Sequence, residues 1–315
     1  KLKLISKRNI FITLFLIFLF YTAFTLYSGH EKILQIFTTI NWFYLFPIFT
    51  ILFLTVFLRS LVQRFLLNKI GIKLGIKENF FLYLSGLSMI ISPGGSGVII
   101  KSFFINQKFG YSISKSLPII FIERFFELVG IILLLFFTFT LIYSIEPLAI
   151  VTIVSIIAGC LFFFLKIKSY NFLFKITNKI KSLKEFSNNN EFTESLELLL
   201  KTRTTIVMVF VITAITFLES LMFYFGFLAF DLEFDYVESI QVFYSSILFG
   251  ILFLIPGGIG ATEVFFTSLL INKKISLELA TSLIIFLRMT TIWVIVIVGL
   301  ITSYVIYFRK LKTKS

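Results

Sequence analysis

The chain has 315 residues, of which 58% are hydrophobic, 18% aromatic and only 14% charged. Soluble domains contain about 25% charged residues, so a water-soluble globular protein is excluded and an all-α integral membrane protein is expected. The net charge of +13 then indicates basic loops beside an anionic membrane surface. Nucleic acid is not an expected partner, because the sequence offers no folded basic domain to bind it.

Six apolar runs are long enough to cross a bilayer as helices, which takes about 20 residues. The first run follows the basic segment KLKLISKRN, but it is long for a signal peptide and no small-residue cleavage pattern closes it. We therefore expect it to be retained as a helix. The predicted spans are Ile10–Tyr27, Trp42–Leu58, Leu117–Tyr143, Leu148–Leu165, Thr204–Phe230 and Ser276–Phe308.

Two further apolar segments, Asn79–Ile105 and Val237–Ile271, each contain a Pro-Gly-Gly-x-Gly sequence that breaks a helix. If both segments turn back within the membrane and the N-terminus is cytoplasmic, 24 of the 29 Lys and Arg residues face the cytoplasm and 3 face outward. This asymmetry agrees with the positive-inside rule, and a topology in which either segment crosses does not. The sequence therefore predicts six spanning helices and two re-entrant hairpins in the plasma membrane, with both termini cytoplasmic.

The two hairpins would enter from opposite sides, as in transporters built from inverted repeats. Pro93 precedes Arg124 by 31 residues, and Pro256 precedes Arg288 by 32. We predict one polytopic membrane domain over residues 1–315 with an inverted-topology repeat. It consists of hairpin units at 79–143 and 237–308 and a cytoplasmic amphipathic connector at 166–203.

Irregular backbone at membrane depth is tolerated only where protein or a water-filled cavity surrounds it. Backbone amides freed at the start of each return arm would form an anion site. A break that serves helix packing alone is the alternative. The candidate binding residues at the two tips are Pro93, Gly94, Gly95, Gly97 and Lys101, and Pro256, Gly257, Gly258 and Gly260.

Six charged residues lie within the apolar segments, where an unpaired charge is expensive. Each arginine is therefore expected to lie within reach of a carboxylate or a hairpin tip. With Lys101, these residues would form a polar path or a headgroup site, and a purely structural cluster of ion pairs is the alternative. The six are Glu123, Arg124, Glu127, Glu219, Glu263 and Arg288.

The residue inventory gives little support to metal, disulfide or nucleophile chemistry. Cys160 is the single cysteine and His30 the single histidine, and no nucleotide-binding glycine pattern occurs. No His, Cys and carboxylate cluster has the spacing of metal ligands. We therefore predict no catalytic residue, no metal and no cofactor.

Four segments, SPGGSGVIIKSFFI, IIFIERFFELVGI, IPGGIGATEVFFTSLLI and SLIIFLRMTTIWVIVIVG, carry a family resemblance. They resemble the landmark segments of the lysylphosphatidylglycerol synthase transmembrane-region family, also described as flippase-like or uncharacterised-family 0104 membrane proteins. Lys101 matches the basic position of the family, whereas Val98 stands where a glutamate is common, which puts in doubt an acid role for the first hairpin. Bifunctional relatives add a soluble aminoacyl-transferase domain for which this chain has no room, so the resemblance implies lipid translocation rather than aminoacyl transfer.

The expected function is that of a lipid transporter, or flippase, for an anionic or isoprenoid-linked lipid, with the headgroup held at the hairpin tips. The expected partners are membrane lipids that carry a phosphate or another anion, together with a second copy of the chain or a partner lipid synthase. Two alternatives remain open. One is a membrane-embedded glycosyl- or phospho-transferase that uses Glu123, Glu127 or Glu263 as a base, and the other is an accessory subunit of a lipid-modifying synthase.

Overall fold

The computed structural model describes residues 7–90, 100–143, 189–252 and 256–312. All regular structure in these ranges is helical, and no strand occurs among them, as expected of an all-α membrane protein. Short 3₁₀ turns at Trp42–Tyr44 and Pro256–Gly258 and a π turn at Met289–Trp293 connect some of the helices. The helices are α1 (Lys7–Tyr27), α2 (His30–Thr39), α3 (Leu45–Lys69), α4 (Ile76–Leu87), α5 (Ile100–Phe109), α6 (Ile113–Tyr143), α7 (Asn189–Leu199), α8 (Thr202–Ala229), α9 (Tyr236–Leu252), α10 (Ala261–Asn272), α11 (Leu277–Arg288) and α12 (Val294–Lys312).

Polar caps set where several helices begin. The side chain of Asn41 accepts a hydrogen bond from the Phe43 amide and starts the turn before α3. The Ser276 hydroxyl accepts from the Leu279 amide at the N-terminus of α11. Such caps satisfy amides that have no partner within the helix, so these two helical segments begin at the polar residue before them.

In the part of the chain that the structure describes, three helical segments are long and apolar enough to cross a membrane: Trp42–Lys69, Thr202–Ala229 and Leu277–Val305. They correspond to the predicted second, fifth and sixth spans. The predicted first span lies in α1, and the third lies in the 31-residue α6. The predicted span at 148–165 lies outside the described residues, so the count of six spans stays a prediction.

Large apolar side chains cover much of the outer surface of these helices. Phe46 on α3 is 75% exposed and Phe210 on α8 is 76% exposed. In water such surfaces would drive association, whereas in a bilayer they face hydrocarbon. The chain is thus built as an integral membrane protein with several apolar helices.

The chain forms two compact units, which are described separately. Unit 1 comprises Lys1–Val56, Leu84–Val98 and Phe217–Ser315. Within it, α10 packs against both α9 and α11, and α2 packs against α11. The Phe266 ring of α10 is fully buried and lies 6.3 Å from the Phe243 ring of α9, which fixes the helix that follows the second breaker.

Unit 2 comprises Phe57–Tyr83 and Ile99–Thr216. Helices α5 and α7 pack against α6, whose Ile122 and Phe126 are fully buried. Residues 166–188 of the predicted amphipathic connector lie outside the described residues. The helix that the sequence TESLELLL predicts is confirmed as part of α7.

Candidate functional site

The second Pro-Gly-Gly sequence breaks the helix where the sequence predicts it. Helix α9 ends at Leu252, and α10 begins at Ala261. Between them, Gly257, Gly258 and Gly260 have φ values of +62°, +68° and +95°. Side chains other than glycine rarely adopt this left-handed backbone, so the turn depends on these residues.

Gly258 also permits a close approach between the turn and its surroundings. A Cβ atom at this position would lie 2.5 Å from Thr262 Oγ1 and 3.8 Å from Arg288 Nη2. It would also lie 3.6 Å from the Cα atom of Gly250 on α9. The absence of a side chain thus brings the turn backbone close to the Arg288 guanidinium.

Glu263, in the first turn of α10, is fully buried and accepts three hydrogen bonds. Its Oε1 accepts from Arg288 Nε at 2.8 Å and from the Tyr21 hydroxyl at 2.9 Å. Its Oε2 accepts from the Gly260 amide at 2.7 Å. The carboxylate therefore links α1, α10, α11 and the turn, and we call Tyr21, Glu263 and Arg288 the unit 1 cluster.

Arg288 supplies the positive charge of this cluster. Its side chain is only 4% exposed, and Nη2 has no hydrogen-bond partner among the described residues. A buried arginine with one unused donor is costly unless another acceptor can reach it.

Helix α11 ends at Arg288, and the π turn Met289–Trp293 follows at once. Such turns often mark functional sites in helices.

The helix after the first breaker, α5, carries a basic residue where the helix after the second breaker carries the acid Glu263. Lys101 on α5 is 3% exposed, and its Nζ donates to Glu123 Oε2 of α6 at 3.0 Å. The same Nζ lies 4.4 Å from the centre of the Tyr83 ring. The carboxylate and the aromatic face together stabilise a cation that has lost almost all of its water.

A second ion-pair system adjoins this one in unit 2. Arg124 Nη1 donates to Glu127 Oε2 at 2.6 Å, and Arg59 Nη1 lies 3.7 Å from Glu127 Oε1. These residues, with Tyr83 and Glu123, line a small cavity together with Val62 and Ile212. Its volume of about 20 Å³ has room for one water molecule but not for a lipid headgroup. We call Arg59, Lys101, Glu123, Arg124 and Glu127 the unit 2 cluster.

The pairing expected of the two membrane arginines is confirmed, because Arg124 contacts Glu127 and Arg288 contacts Glu263.

Glu219 lies half-buried on α8 beside Ser220, and neither of these ion pairs includes it. The candidates Pro93, Gly94, Gly95 and Gly97 lie outside the described residues. Among the described residues no group of three His, Cys, Asp or Glu side chains could hold a metal ion.

Three residues at these clusters were not identified from the sequence. Tyr21 lies inside an apolar run, where a hydroxyl-bearing ring among phenylalanines was the available signal. Arg59 directly follows a predicted span, where a basic residue ordinarily indicates a cytoplasmic loop. Tyr83 had no distinguishing signal, because tyrosine is common near membrane surfaces.

Comparisons with known proteins agree with the resemblance seen in the motifs. A family model described as lysylphosphatidylglycerol synthase TM region matches residues 10–299. The chain is also similar to the UPF0104 membrane protein MJ1078 of Methanocaldococcus jannaschii, with 29% identity over 230 residues. That alignment covers 70% of this chain and 94% of the relative. The region that the family model matches includes α5, α10 and both clusters.

Proposed function

The chain belongs to the lysylphosphatidylglycerol synthase transmembrane-region family, and we propose that it moves an anionic or isoprenoid-linked lipid between membrane leaflets. The headgroup is held near the hairpin tips by backbone amides and by arginine and lysine side chains. The observation that carries the proposal is the position of Arg288. Its guanidinium is buried beside a glycine turn in an apolar segment, and Nη2 lacks a partner among the described residues.

We propose that both breaker segments are re-entrant and that both termini are cytoplasmic. Helix α10 has 12 residues and is about 18 Å long, whereas the hydrocarbon core is about 30 Å thick. A return arm of this length fits a hairpin better than a full crossing. The charge asymmetry of the loops supports the orientation of the termini.

Single cysteines in a Cys160→Ala background test this orientation in sealed cells. An impermeant thiol reagent is expected to label Lys32→Cys from outside and to leave Ser315→Cys unlabelled until the membrane is opened. Ser96→Cys, in the first breaker, should also resist labelling from outside. Ready labelling of Ser315→Cys in intact cells would refute the topology.

Transport is tested with the purified protein in liposomes that contain a fluorescent anionic lipid. The wild type should speed the loss of fluorescence to an external quencher relative to protein-free liposomes. Gly258→Leu should abolish this acceleration, since the new side chain collides with Thr262. Gly110→Leu is the matched control, because Gly110 also has a positive φ of +77° but nothing lies within 4 Å of its Cβ position. Equal rates with and without the wild-type protein would reject the proposal.

A membrane transferase is the second candidate, and one observation favours it. Glu123 Oε1 is buried and has no hydrogen-bond partner among the described residues, as a general base awaiting a substrate would be. Mass spectrometry of the lipids recovered from the same liposomes, incubated with cell extract, distinguishes the two functions. A protein-dependent change in lipid mass that is lost in Glu123→Gln would favour the transferase.

A further inference from the structure

Two buried polar atoms of the unit 2 cluster, on neighbouring residues of α6, lack hydrogen-bond partners among the described residues. One is the acceptor Glu123 Oε1, and the other is the donor Arg124 Nε. Both residues line the cavity of about 20 Å³, which has room for one water molecule. Glu127 also lines this cavity and is 28% exposed, whereas Glu123 is 12% exposed. A water molecule in the cavity would satisfy both atoms and connect the two carboxylates.

Such a water molecule would have a partner for each of its protons. It would accept a hydrogen bond from Arg124 Nε, donate one to Glu123 Oε1 and donate the other to Glu127. Buried waters typically make about three hydrogen bonds to polar groups that otherwise lack partners. The result is a hydrogen-bonded path from the more accessible acid to the more buried one. Chains of acidic residues within membrane segments are typical of proton relays.

The buried end of this path is the ion pair with Lys101. Glu123 Oε2 accepts from Lys101 Nζ at 3.0 Å, so one oxygen faces the lysine and the other remains for the water. A proton on Oε1 would neutralise the carboxylate and remove its attraction for the ammonium, which lies 4.4 Å from the centre of the Tyr83 ring. Lys101 is in the first turn of α5, the helix that follows the first breaker. Its ammonium could then pair with a phosphate oxyanion at the hairpin.

We propose that Glu123 is a proton-binding site that takes up one proton when an anionic lipid headgroup binds Lys101. The proton passes from solvent to Glu127, from Glu127 to the water molecule and from the water to Glu123 Oε1, so the water and Glu127 are regenerated. A phosphodiester brings one negative charge and the proton one positive charge. The net charge of the buried site is therefore unchanged, and an uncompensated charge there would be costly. The inference rests on the proposed function, in which Lys101 contacts the headgroup, and adds a proton as the coupled ion.

The other groups around Glu123 determine which acid holds the proton. Helix α7 packs against α6, and its Glu191 accepts from Ser112, just before the start of α6. Helix α8 contributes the apolar side chain of Ile212 to the cavity. Glu127 accepts from Arg124 Nη1 at 2.6 Å, which favours its charged form and leaves Glu123 as the acceptor. The titratable and charged groups that line the cavity or contact Glu123 are Arg59 of α3, Tyr83 of α4, Lys101 of α5, and Arg124 and Glu127 of α6.

Proton uptake on lipid binding tests this inference without a transport measurement. The purified protein in weakly buffered neutral detergent is mixed with dihexadecyl phosphate, whose phosphodiester stays singly ionised near neutral pH. A pH-indicator dye counts the protons taken up, and native mass spectrometry counts the bound lipid. The wild type should take up about one proton per bound lipid, and its affinity should fall about tenfold for each unit rise in pH. Dihexadecylglycerol, an uncharged lipid with the same chains, should cause no uptake.

Glu123→Gln removes the proton-binding oxygen and keeps the shape of the side chain. This variant should bind dihexadecyl phosphate without proton uptake, and its affinity should not change with pH. Glu194→Gln is the matched control, because Glu194 is an exposed acid on α7 of the same unit, and it should keep the uptake of the wild type. Undiminished uptake by Glu123→Gln would overturn the assignment of the proton to Glu123.

Glu127→Gln tests the path to the site. The variant should still take up about one proton per lipid, but stopped-flow mixing with the same dye should show uptake slowed about a hundredfold, the lower end of what a positioned acid or base contributes. An unchanged rate would remove Glu127 and the water molecule from the path.

The wild-type measurement separates this inference from the function on which it rests, and it does not depend on the folding of any variant. Binding of dihexadecyl phosphate without proton uptake would overturn the inference alone. Wild-type protein that does not bind dihexadecyl phosphate would overturn the headgroup site of the proposed function together with the inference.

Discussion

The two clusters share one plan with the charges reversed. In unit 1 the helix after the breaker carries the acid, Glu263, and the following helix carries the base, Arg288. In unit 2 the helix after the breaker carries the base, Lys101, and the following helix carries the acid, Glu123. The paired residues are 25 apart in unit 1 and 22 apart in unit 2. An ion pair between the helix after the breaker and the next helix is thus the common element.

The clusters differ in what surrounds that pair. In unit 1 the acid is completely buried, accepts from Tyr21 and Gly260, and forms a tight joint. In unit 2 a cavity and a second group of charges adjoin the pair. The same kind of ion pair thus fixes the backbone at the glycine turn in unit 1 and borders a small cavity in unit 2.

The largest effect should come from the two acids. Glu263→Gln leaves Arg288 buried without a counter-ion, and arginine cannot shed its proton, so we expect a loss of about 3–5 kcal/mol in the free energy of unfolding. Glu123→Gln should cost less, because the face of the Tyr83 ring remains 4.4 Å from Lys101 Nζ and still stabilises the cation. Reversible unfolding in mixed detergent micelles measures both. Equal losses in the free energy of unfolding for the two variants would contradict the distinction between a completely buried pair in unit 1 and a pair beside a cavity in unit 2.

Glycine substitutions sharpen the comparison at the turn itself. Gly110→Ala introduces a side chain at positive φ in open space and should cost about 1–2 kcal/mol. Gly258→Ala adds the contact with Thr262 and should cost more than this. The double variant Gly258→Ala with Thr262→Ala should recover part of the difference. Additive effects of the two substitutions would show that the close approach at Gly258 has no energetic role.

The tyrosines provide a smaller test. Tyr21→Phe removes the hydroxyl that donates to Glu263 and should lower stability by about 1.5 kcal/mol. Tyr83→Phe keeps the ring beside Lys101 and should lower it less. The same unfolding assay compares them. A larger loss for Tyr83→Phe would contradict the assignment of its ring, rather than its hydroxyl, to the lysine contact.

The smallest effect is expected at the surface of unit 1. Lys32 Nζ lies 2.6 Å from Glu278 Oε1, but Lys32 is 70% exposed, so Lys32→Gln should leave the melting temperature unchanged within error. The hydrogen bond with Glu278 raises the pKa of Lys32 above its usual 10.5. Any contribution of the pair is therefore present at neutral pH, and it is lost as the pH rises through the raised pKa of Lys32 or falls low enough to protonate Glu278. A clear shift in melting temperature at pH 7 would show that surface pairing rivals the buried cluster.

The local parts of this architecture could be predicted from the sequence. Proline and glycine determine the break before α10 by backbone chemistry alone, and the cost of burying charge requires Arg124 and Arg288 to find carboxylates. The contact between Tyr21 and Glu263 joins residues 242 positions apart, and no periodic pattern encodes it. Arg59 was missed for a different reason, since a basic residue at the end of an apolar run is the usual mark of a loop.

The π turn after Arg288 has a consequence for how α11 and α12 are phased. An i to i+5 turn accommodates one residue more than an α-helical turn, so α12 is rotated by about 100° relative to an uninterrupted helix. That rotation directs Gly299 toward the chain after α4, where a Cβ atom would lie 2.5 Å from the Ser88 amide nitrogen. Deletion of Ile292 should restore an α-helical turn and leave Gly299 beside Ser88, whereas straightening the turn without a deletion would rotate Gly299 away from this contact. The extra residue thus aligns Arg288 with Glu263 and aligns Gly299, 11 positions later, with Ser88.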